Sequence, residues 1–390
     1  MNSRLSRWIA VRRTLLPGWG LSVVAMLSAI MTAATGFAGE RWTPERAHEW
    51  YDAQPWLVGC NFGPSTAINQ LEMWQADTFD PETIDRELGW AASIGMNTVR
   101  IFLHDIPWKE DKDGFLDRVE KVLDIAAKHE IRPIVVLFDG VWDPDPQSGK
   151  QREPKPGVHN SGWMQSPGRA ILADDAKQDA LQPYVADVLE RFGGDERVLA
   201  WDLFNEPDNP NTNSYGAKEL KDKDERAERL VRLSFKWARE IDPTQPLTVG
   251  VWRGDAWDDD SKMNLVHRAA VELSDVISFH DYSEPEVLQR RIDQLRKYGR
   301  PLICTEFIAR GNGSKWETAL PILKKEKVGA YCWGLVDGKT QTKMPWTTWQ
   351  KPITEGDPDL WHHEIFHTDG KPYREAEVKL IRELTGRGTK

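Results

Sequence analysis

Val-Leu-Ala-Trp-Asp-Leu-Phe-Asn-Glu-Pro, residues 198–207, is the stretch that decides the fold prediction. It begins as an apolar run typical of a strand that is buried on both faces. It ends in Asn205-Glu206-Pro207, where two polar side chains precede a residue that cannot donate to a strand ladder. A carboxylate at the end of a buried strand is desolvated, which raises its pKa and suits it to general-acid chemistry. The alternative is a turn that merely caps a strand, so a catalytic role for Glu206 requires a second carboxylate in an equivalent place.

The same strand-then-helix unit recurs along the chain. Apolar strands are predicted at 56–62, 98–104, 132–138, 198–206, 247–252, 276–282, 301–307 and 329–335. The helices that follow them are predicted at 80–94, 116–129, 175–192, 218–241, 263–273, 283–298, 316–325 and 374–384. Asp80-Pro81 is a helix-start signal, and Ser283-x-x-Glu286 reads as a capping box. Eight such units predict an α/β fold, a (β/α)8 TIM barrel, as a single catalytic domain over 39–390 with long loops at 139–173 and 336–373.

The first 38 residues differ from the rest of the chain. Arg4, Arg7, Arg12 and Arg13 precede an apolar run at 21–37, and small residues follow it. This pattern predicts a signal peptide over 1–38 and export to the periplasm or the exterior. An uncleaved membrane anchor is the alternative, but the run is short for a span, so no membrane partner is expected after cleavage.

The composition limits the possible partners. The net charge is −10, and the arginines of the predicted signal peptide leave with it, so the remaining chain is more acidic still. An acidic protein is a poor partner for nucleic acid or an anionic lipid surface. Cys60, Cys304 and Cys332 fall inside strand-like runs and are interpreted as core residues, with one disulfide left open. The chain has 19 tryptophans, which stack on sugar rings but also pack in cores. A monomer is expected.

A second carboxylate occupies the equivalent place three units later. Active sites of this fold lie at the carboxyl ends of the strands. Glu306 ends the strand at 301–307 much as Glu206 ends its own, and the fourth and seventh strands face each other across a closed barrel. Two such carboxylates with separated pKa values are what glycoside hydrolysis requires.

Five motifs, in this order, carry a family resemblance: Val-Arg-Ile-Phe at 99–102, Leu-Phe-Asn-Glu-Pro at 203–207, Ser-Phe-His-Asp-Tyr at 278–282, Cys-Thr-Glu-Phe at 304–307 and Tyr-Cys-Trp-Gly at 331–334. Together they resemble the clan A glycoside hydrolases, most of all family 5 with its cellulases and mannanases. The resemblance implies retaining hydrolysis of a β-linked glucan, mannan or xylan, or of its oligosaccharides, without a metal or organic cofactor. Glu206 would be the acid/base and Glu306 the nucleophile.

The resemblance also implies supporting roles. Asn205 would bind the sugar 2-hydroxyl, and His280 and Tyr282 would position the carboxylates, with Tyr282 donating to Glu306. Arg100 would keep Glu306 ionised, because a nearby cation favours the charged form. Trp333 would lie under the sugar ring at the cleavage point. Arg100 could instead be a structural salt-bridge partner, and His280 a core histidine.

Two features depart from the family pattern. The family often carries His at the end of the third strand, where this chain has Phe138-Asp139-Gly140. The loop Asn69-Gln70-Leu71-Glu72-Met73-Trp74 has no counterpart that we can assign. The sugar, the linkage and endo or exo attack depend on the loops after strands 1, 3 and 8.

Two other classes of function are open alternatives. His363-Glu364-Ile365-Phe366-His367 matches His-Glu-x-x-His, which on a helix would present two zinc ligands and a glutamate base, as in zinc peptidases. A helix-breaking Asp-Gly-Lys-Pro segment follows it almost directly, which disfavours this interpretation. A catalytically inactive carbohydrate-binding barrel is the other alternative, although a pure binding protein needs neither glutamate.

Overall fold

The computed structural model describes residues 39–387. The predicted signal peptide, residues 1–38, lies outside the described residues. Within 39–387, no helix combines the length and the apolar character needed to cross a membrane.

Within this range the predicted barrel is confirmed. Eight parallel strands form the inner sheet: β1 (Val58–Phe62), β2 (Thr98–Phe102), β3 (Arg132–Asp139), β4 (Ala200–Asn205), β5 (Leu247–Thr248), β6 (Ile277–His280), β7 (Leu302–Phe307) and β8 (Gly329–Trp333). The hydrogen-bonded order is β5-β4-β3-β2-β1-β8-β7-β6. Val251 closes the ring between the two ends, because its N–H donates to Ser278 O (3.0 Å) and its carbonyl accepts from His280 N (2.9 Å). Nearly every strand residue is buried, which explains the unbroken apolar runs.

The helices lie between the strands in sequence. In residues 39–387 they are α1 (Pro44–Asp52), α2 (Gln70–Trp74), α3 (Pro81–Ser93), α4 (Asp105–Glu110), α5 (Lys112–Lys128), α6 (Arg169–Leu172), α7 (Asp175–Asp179), α8 (Gln182–Phe192), α9 (Lys223–Ile241), α10 (Leu265–Leu273), α11 (Pro285–Leu295), α12 (Trp316–Lys325) and α13 (Glu375–Thr385).

Of the two helix-start signals in the sequence, one is confirmed and the other is wrong. Asp80 caps α3 as predicted, with its carboxylate accepting from Thr83 N at 3.0 Å. The capping box is wrong: α11 begins at Pro285, and Ser283 instead faces the Arg291 guanidinium. Proline at the first position needs no N–H partner and fixes φ, so the helix starts there without a side-chain cap.

Several other predicted elements are shorter than expected, and two of them differ most from the prediction. The strand predicted at 247–252 is regular only over its first two residues, because the chain then pairs again only at Val251. The helix predicted at 175–192 is two helices, α7 and α8, and Pro183 lies in the first turn of the second. All three cysteines are buried free thiols, as in the core interpretation.

The long segments after β3 and β8 are hydrogen-bonded to each other above the barrel, and we call residues 151–163 and 338–353 together the roof. The hydrogen bonds that join its two halves include Asn160 N to Thr340 O (2.8 Å), Ile353 N to Gly157 O (3.1 Å), His159 N to Thr348 Oγ1 (3.0 Å) and Gly157 N to Gln341 Oε1 (2.9 Å). Gln350 Nε2 also donates to Asn213 O (2.8 Å), which ties the roof to the loop after β4.

Candidate active site

Glu206 follows the last residue of β4 and is 8% exposed. Its φ of +40° lies in the left-handed region, which is uncommon for a non-glycine residue and typical of functional sites. Gly140, after β3, donates its N–H to Asn205 O at 2.8 Å. A Cβ on Gly140 would lie 2.3 Å from Glu206 O, so only glycine allows this close approach. The end of β3 therefore fixes the turn that presents Glu206.

Glu306, in β7, faces Glu206 across the barrel mouth. One carboxylate oxygen of each and one ring nitrogen of His280 lie within 4.8 Å of one another. His280 Nδ1 is 2.7 Å from Glu206 Oε1 and 3.4 Å from Glu306 Oε2. Tyr282 donates its hydroxyl to Glu306 Oε2 at 2.7 Å. The structure thus brings these four predicted residues together.

Arg100 contacts the catalytic candidate Glu306 and also polar residues of the neighbouring strands. Its Nη1 donates to Glu306 Oε1 (3.0 Å) and to Asn61 Oδ1 (2.8 Å). Its Nη2 donates to Asn205 Oδ1 (2.7 Å) and to Asp202 Oδ2 (2.8 Å). The catalytic and the structural interpretations of Arg100 therefore describe one network. Asn61 and Asp202 were not among the site residues predicted from the sequence. Each is a polar residue inside an apolar strand, and that is the signal that could have indicated them.

Asp139 occupies the position where the family often carries histidine. Its Oδ1 accepts a hydrogen bond from Asn205 Nδ2 (2.9 Å). Its Oδ2 accepts hydrogen bonds from Gln70 Nε2 (2.9 Å) and Trp163 Nε1 (2.6 Å). Burial raises the pKa of Asp139 to about 6. Gln70 begins α2, within the loop that had no assignable counterpart. The two departures from the family pattern are therefore bonded to each other, and together they orient the Asn205 amide.

Burial raises the pKa of both glutamates, Glu206 and Glu306, to about 7. The two carboxyls titrate as a pair and release their protons in two steps. Arg100 and Tyr282 donate to Glu306, which favours its charged form, so we expect the shared proton on Glu206. Burial lowers the pKa of His280 to about 4, so its imidazole is neutral at pH 7.

The glutamates lie in a pocket of about 270 Å³ with aromatic walls. The aromatic lining consists of Trp142, Trp252, Tyr282, Trp333, Trp346 and Trp349. Trp142 and Trp349 are stacked, with ring centroids 5.6 Å apart. The Trp252 indole is held by a donated hydrogen bond to the buried carboxylate of Asp208 (2.7 Å). Such faces suit the apolar faces of sugar rings, and the polar residues among them suit hydroxyls.

Two histidines, one in the roof and one in the segment that follows it, also line the pocket. His159 and His363 each place Nδ1 against a backbone carbonyl, of Met344 (2.7 Å) and Ile308 respectively. Burial lowers the pKa of both, to about 4 for His159, so each ring is neutral. With Nδ1–H donated to a carbonyl, Nε2 is an acceptor, which suits a sugar hydroxyl. Sequence reasoning read His363 only as part of the zinc motif and missed His159.

The zinc motif does not form a metal site. Residues 363–367 are not helical, Glu364 accepts from Thr342 Oγ1, and His367 packs against the Trp361 ring at 4.5 Å. In residues 39–387 the one trio of side chains able to share a metal ion is Glu206, His280 and Glu306. Arg100 already supplies positive charge there.

The comparisons with known proteins agree with this geometry. The sequence profile of the family Cellulase (glycosyl hydrolase family 5) matches residues 63–351. No significant similarity to a curated protein was found. Among solved structures, a variant of GH5_18 from Streptomyces cattleya in complex with Manb1-4GlcNAc has a TM-score of 0.57 at 13% identity, covering 86% of this chain and 81% of that one.

Two mannanases have a similar fold. The β-1,4-mannanase of the sea hare Aplysia kurodai has a TM-score of 0.54 at 18% identity, covering 77% of this chain and 96% of that one. The endo-1,4-β-D-mannanase of Thermotoga petrophila has a TM-score of 0.53 at 13% identity, covering 85% and 99%. At these identities the likeness establishes the barrel fold, while the profile match establishes the family. The chain therefore belongs to glycosyl hydrolase family 5, the cellulase family, and is a glycoside hydrolase.

Proposed function

We propose that this enzyme hydrolyses β-linked glycosides with retention of configuration, with Glu306 as nucleophile and Glu206 as general acid/base. The observation that carries the proposal is the approach of the two carboxylates, whose nearest oxygens lie within 4.8 Å. Retaining enzymes hold the two groups about 5–5.5 Å apart, whereas inverting enzymes need roughly 6.5–9.5 Å to admit a water.

In the first step Glu306 attacks the anomeric carbon and forms a C1–O bond to the enzyme. The glycosidic C1–O bond breaks, and Glu206 gives its proton to the leaving oxygen. Arg100 and Tyr282 hold Glu306 in place and favour its charge before the attack. Neutral His280 contacts both carboxyls and keeps Glu206 oriented toward the leaving group.

In the second step Glu206, now ionised, takes a proton from water as the water attacks C1. The bond to Glu306 breaks, and the sugar leaves in its original configuration. The Nδ2 group of Asn205, oriented by Asp139, is available to the 2-hydroxyl of the sugar. Trp333 provides the surface under the ring. We propose β-linked glucans, mannans and xylans as the substrate class, and mannans are tested first because several similar structures are mannanases.

The decisive variant is Glu306→Gln. It keeps the shape of the side chain but removes the nucleophile, so we expect kcat to fall by about 10⁴-fold or more on aryl β-glycosides. Circular dichroism should show an unchanged fold. Proton NMR of the wild-type reaction should show the β-anomer as the first free sugar. Residual turnover above one hundredth of wild type, or an α-anomer as first product, would contradict the proposal.

Azide separates the two roles. With Glu306→Gly, azide takes the place of the lost nucleophile, so the expected product is the α-glycosyl azide. With Glu206→Gly, azide attacks the glycosyl-enzyme from the opposite face, so the β-glycosyl azide is expected. The reversed pair of products would show that the two roles are exchanged.

A further inference from the structure

The pocket is asymmetric about Trp333. On one side it continues past the glutamates to the residues that follow β4, β5 and β6, among them Asn209, Trp252 and Tyr282. On the other side, toward β1 and β2, the void bordered by Trp163, Phe102 and Trp333 has a volume of about 20 Å³. That void is too small for a sugar ring, whereas the pocket of about 270 Å³ holds one.

A fixed aromatic wall fills the closed side. Trp163 is 5% exposed and packs edge-on against Trp333 (5.9 Å between centroids) and against Phe102 (5.4 Å). Its indole N–H donates to the buried carboxylate of Asp139 at 2.6 Å. Because both its ring and its N–H have partners, Trp163 cannot swing away without breaking the network that orients Asn205.

The roof closes the same side from above. Its two halves follow β3 and β8, the strands that flank β2 and β1 in the sheet, and they are joined by the hydrogen bonds of Gly157, His159 and Asn160. Lys339 N also donates to Ser65 O, after β1, at 3.0 Å, so the joined backbone crosses the ends of β1 and β2. Trp346, from the second half, packs edge-on against Tyr282 at 5.1 Å between centroids. The roof also reaches the loop after β4, where Gln350 Nε2 donates to Asn213 O, whereas the lining residues Asn209 and Trp252 lie outside the roof.

The direction of the substrate follows from the roles of the two glutamates. Glu206 protonates the leaving oxygen, so the leaving group must lie on the Glu206 side, beside β4 and β5. The sugar that forms the bond to Glu306 lies over Trp333, next to the wall. Chain that extends beyond this sugar, toward the non-reducing end, would collide with Trp163 and the roof.

We infer that the enzyme is an exo-glycosidase that removes single sugars from the non-reducing end of β-linked oligosaccharides. The inference rests on the proposed function and adds the direction and length of attack to it. Each turnover breaks the C1–O bond of the terminal sugar and consumes one water, and the rest of the chain leaves as an alcohol one sugar shorter.

The test compares two aryl β-trisaccharides of the sugar found active as an aryl monoglycoside. One has a free non-reducing end, and the other carries a bulky acetal on its terminal sugar. We expect the free trisaccharide to give the monosaccharide and the aryl disaccharide as the first products. The blocked one should react about a hundredfold more slowly, because its terminal sugar cannot reach the reacting position. The Glu306→Gln variant, run in parallel, measures any contaminating glycosidase.

The outcomes separate the two proposals. Equal rates on the free and blocked compounds, or a free disaccharide as first product, would overturn exo action while leaving retaining hydrolysis intact. No turnover of any aryl monoglycoside or trisaccharide, from a panel of glucose, mannose and xylose compounds, would overturn the proposed function itself.

Discussion

Glu206 and Glu306 share one buried environment, and their neighbours decide which of them carries the charge. Burial is the largest cause of the raised pKa of both, about 7, so near neutral pH the pair holds about one proton between them. Of the two glutamates, Arg100 and Tyr282 contact only Glu306, Asn209 contacts only Glu206, and His280 lies against both but closer to Glu206. Active enzyme therefore needs Glu306 ionised and Glu206 protonated. Its kcat/KM should rise with pH as Glu306 loses its proton and fall as Glu206 loses its own.

Replacing Tyr282 by Phe tests this assignment. Phe keeps the ring that packs against Trp346 but removes the donor to Glu306 Oε2, so the charged form of Glu306 loses stabilisation and its pKa rises. We expect the acidic limb of the pH profile of kcat/KM to move to higher pH by about one unit, the worth of one hydrogen bond to a charged group. The alkaline limb, set by Glu206, is the internal control. A shift of the alkaline limb alone would assign the two protons the other way.

At the scale of single residues, the sequence indicates the candidate site residues but not the residues that hold them in place. Each candidate residue lies at or near a predicted strand end and within one of the five sequence motifs, which is why the sequence indicates it. These residues are Arg100, Asn205, Glu206, His280, Tyr282, Glu306 and Trp333. Asp139 and Gln70 were noticed only as departures, since the bond between them joins positions far apart in sequence. A local sequence pattern cannot predict a hydrogen bond between two residues that are so far apart in the chain.

At the scale of elements, the roof depends on one very close backbone contact. Gly157 has φ +66°, and a Cβ there would lie 1.7 Å from Ile353 O, so any side chain forces the two halves of the roof apart. The same glycine donates its N–H to Gln341 Oε1 at 2.9 Å. His159, two residues later, lines the pocket.

We therefore expect Gly157→Ala to lower kcat/KM for an aryl β-glycoside by about 10–100-fold, since small misplacements at a site have large kinetic effects. Gly149→Ala is the matched control: it lies in the same loop at φ +80° but has nothing within 4 Å of the added Cβ. It should carry the strain of a left-handed alanine and remain within about threefold of wild type, because that strain lies outside the pocket. Equal losses in the two variants would show that strain, rather than separation of the roof, is responsible.

Strand and helix prediction succeeded where periodicity was long and failed at boundaries. The apolar runs predict all eight strands, but β5 is regular over two residues only, and the chain pairs with β6 only through the isolated bridge at Val251. The sequence predicts the two long loops at 139–173 and 336–373 but not their joining into the roof, since its hydrogen bonds join residues almost two hundred positions apart. Its turns carry no periodic pattern.

At the scale of the whole molecule, Arg310 connects three parts of the chain. It follows β7, and its guanidinium is buried against the carboxylate of Glu377 in α13, at 2.9 Å and 2.6 Å. The same guanidinium donates to the carbonyls of Trp361, His363 and Glu364. The last helix of the barrel therefore holds the segment that presents His363 to the pocket, and this explains why the apparent zinc motif has a fixed, non-helical shape.

Breaking this pair should destabilise the whole domain and not only the loop. In Glu377→Gln the Arg310 charge stays buried without its counter-charge, and removal of one partner of a buried pair costs about 3–5 kcal/mol. Glu375→Gln is the matched control, since that carboxylate is exposed in the first turn of the same helix and should change stability by less than about 0.5 kcal/mol. Urea unfolding followed by tryptophan fluorescence measures both variants.

Because the carbonyls of His363 and Glu364 lose their fixed donor as α13 loosens, activity in Glu377→Gln should be lost at lower urea concentration than the fluorescence change. A wild-type midpoint would contradict the destabilisation, and coincident loss of activity and fluorescence would contradict the coupling of α13 to the pocket.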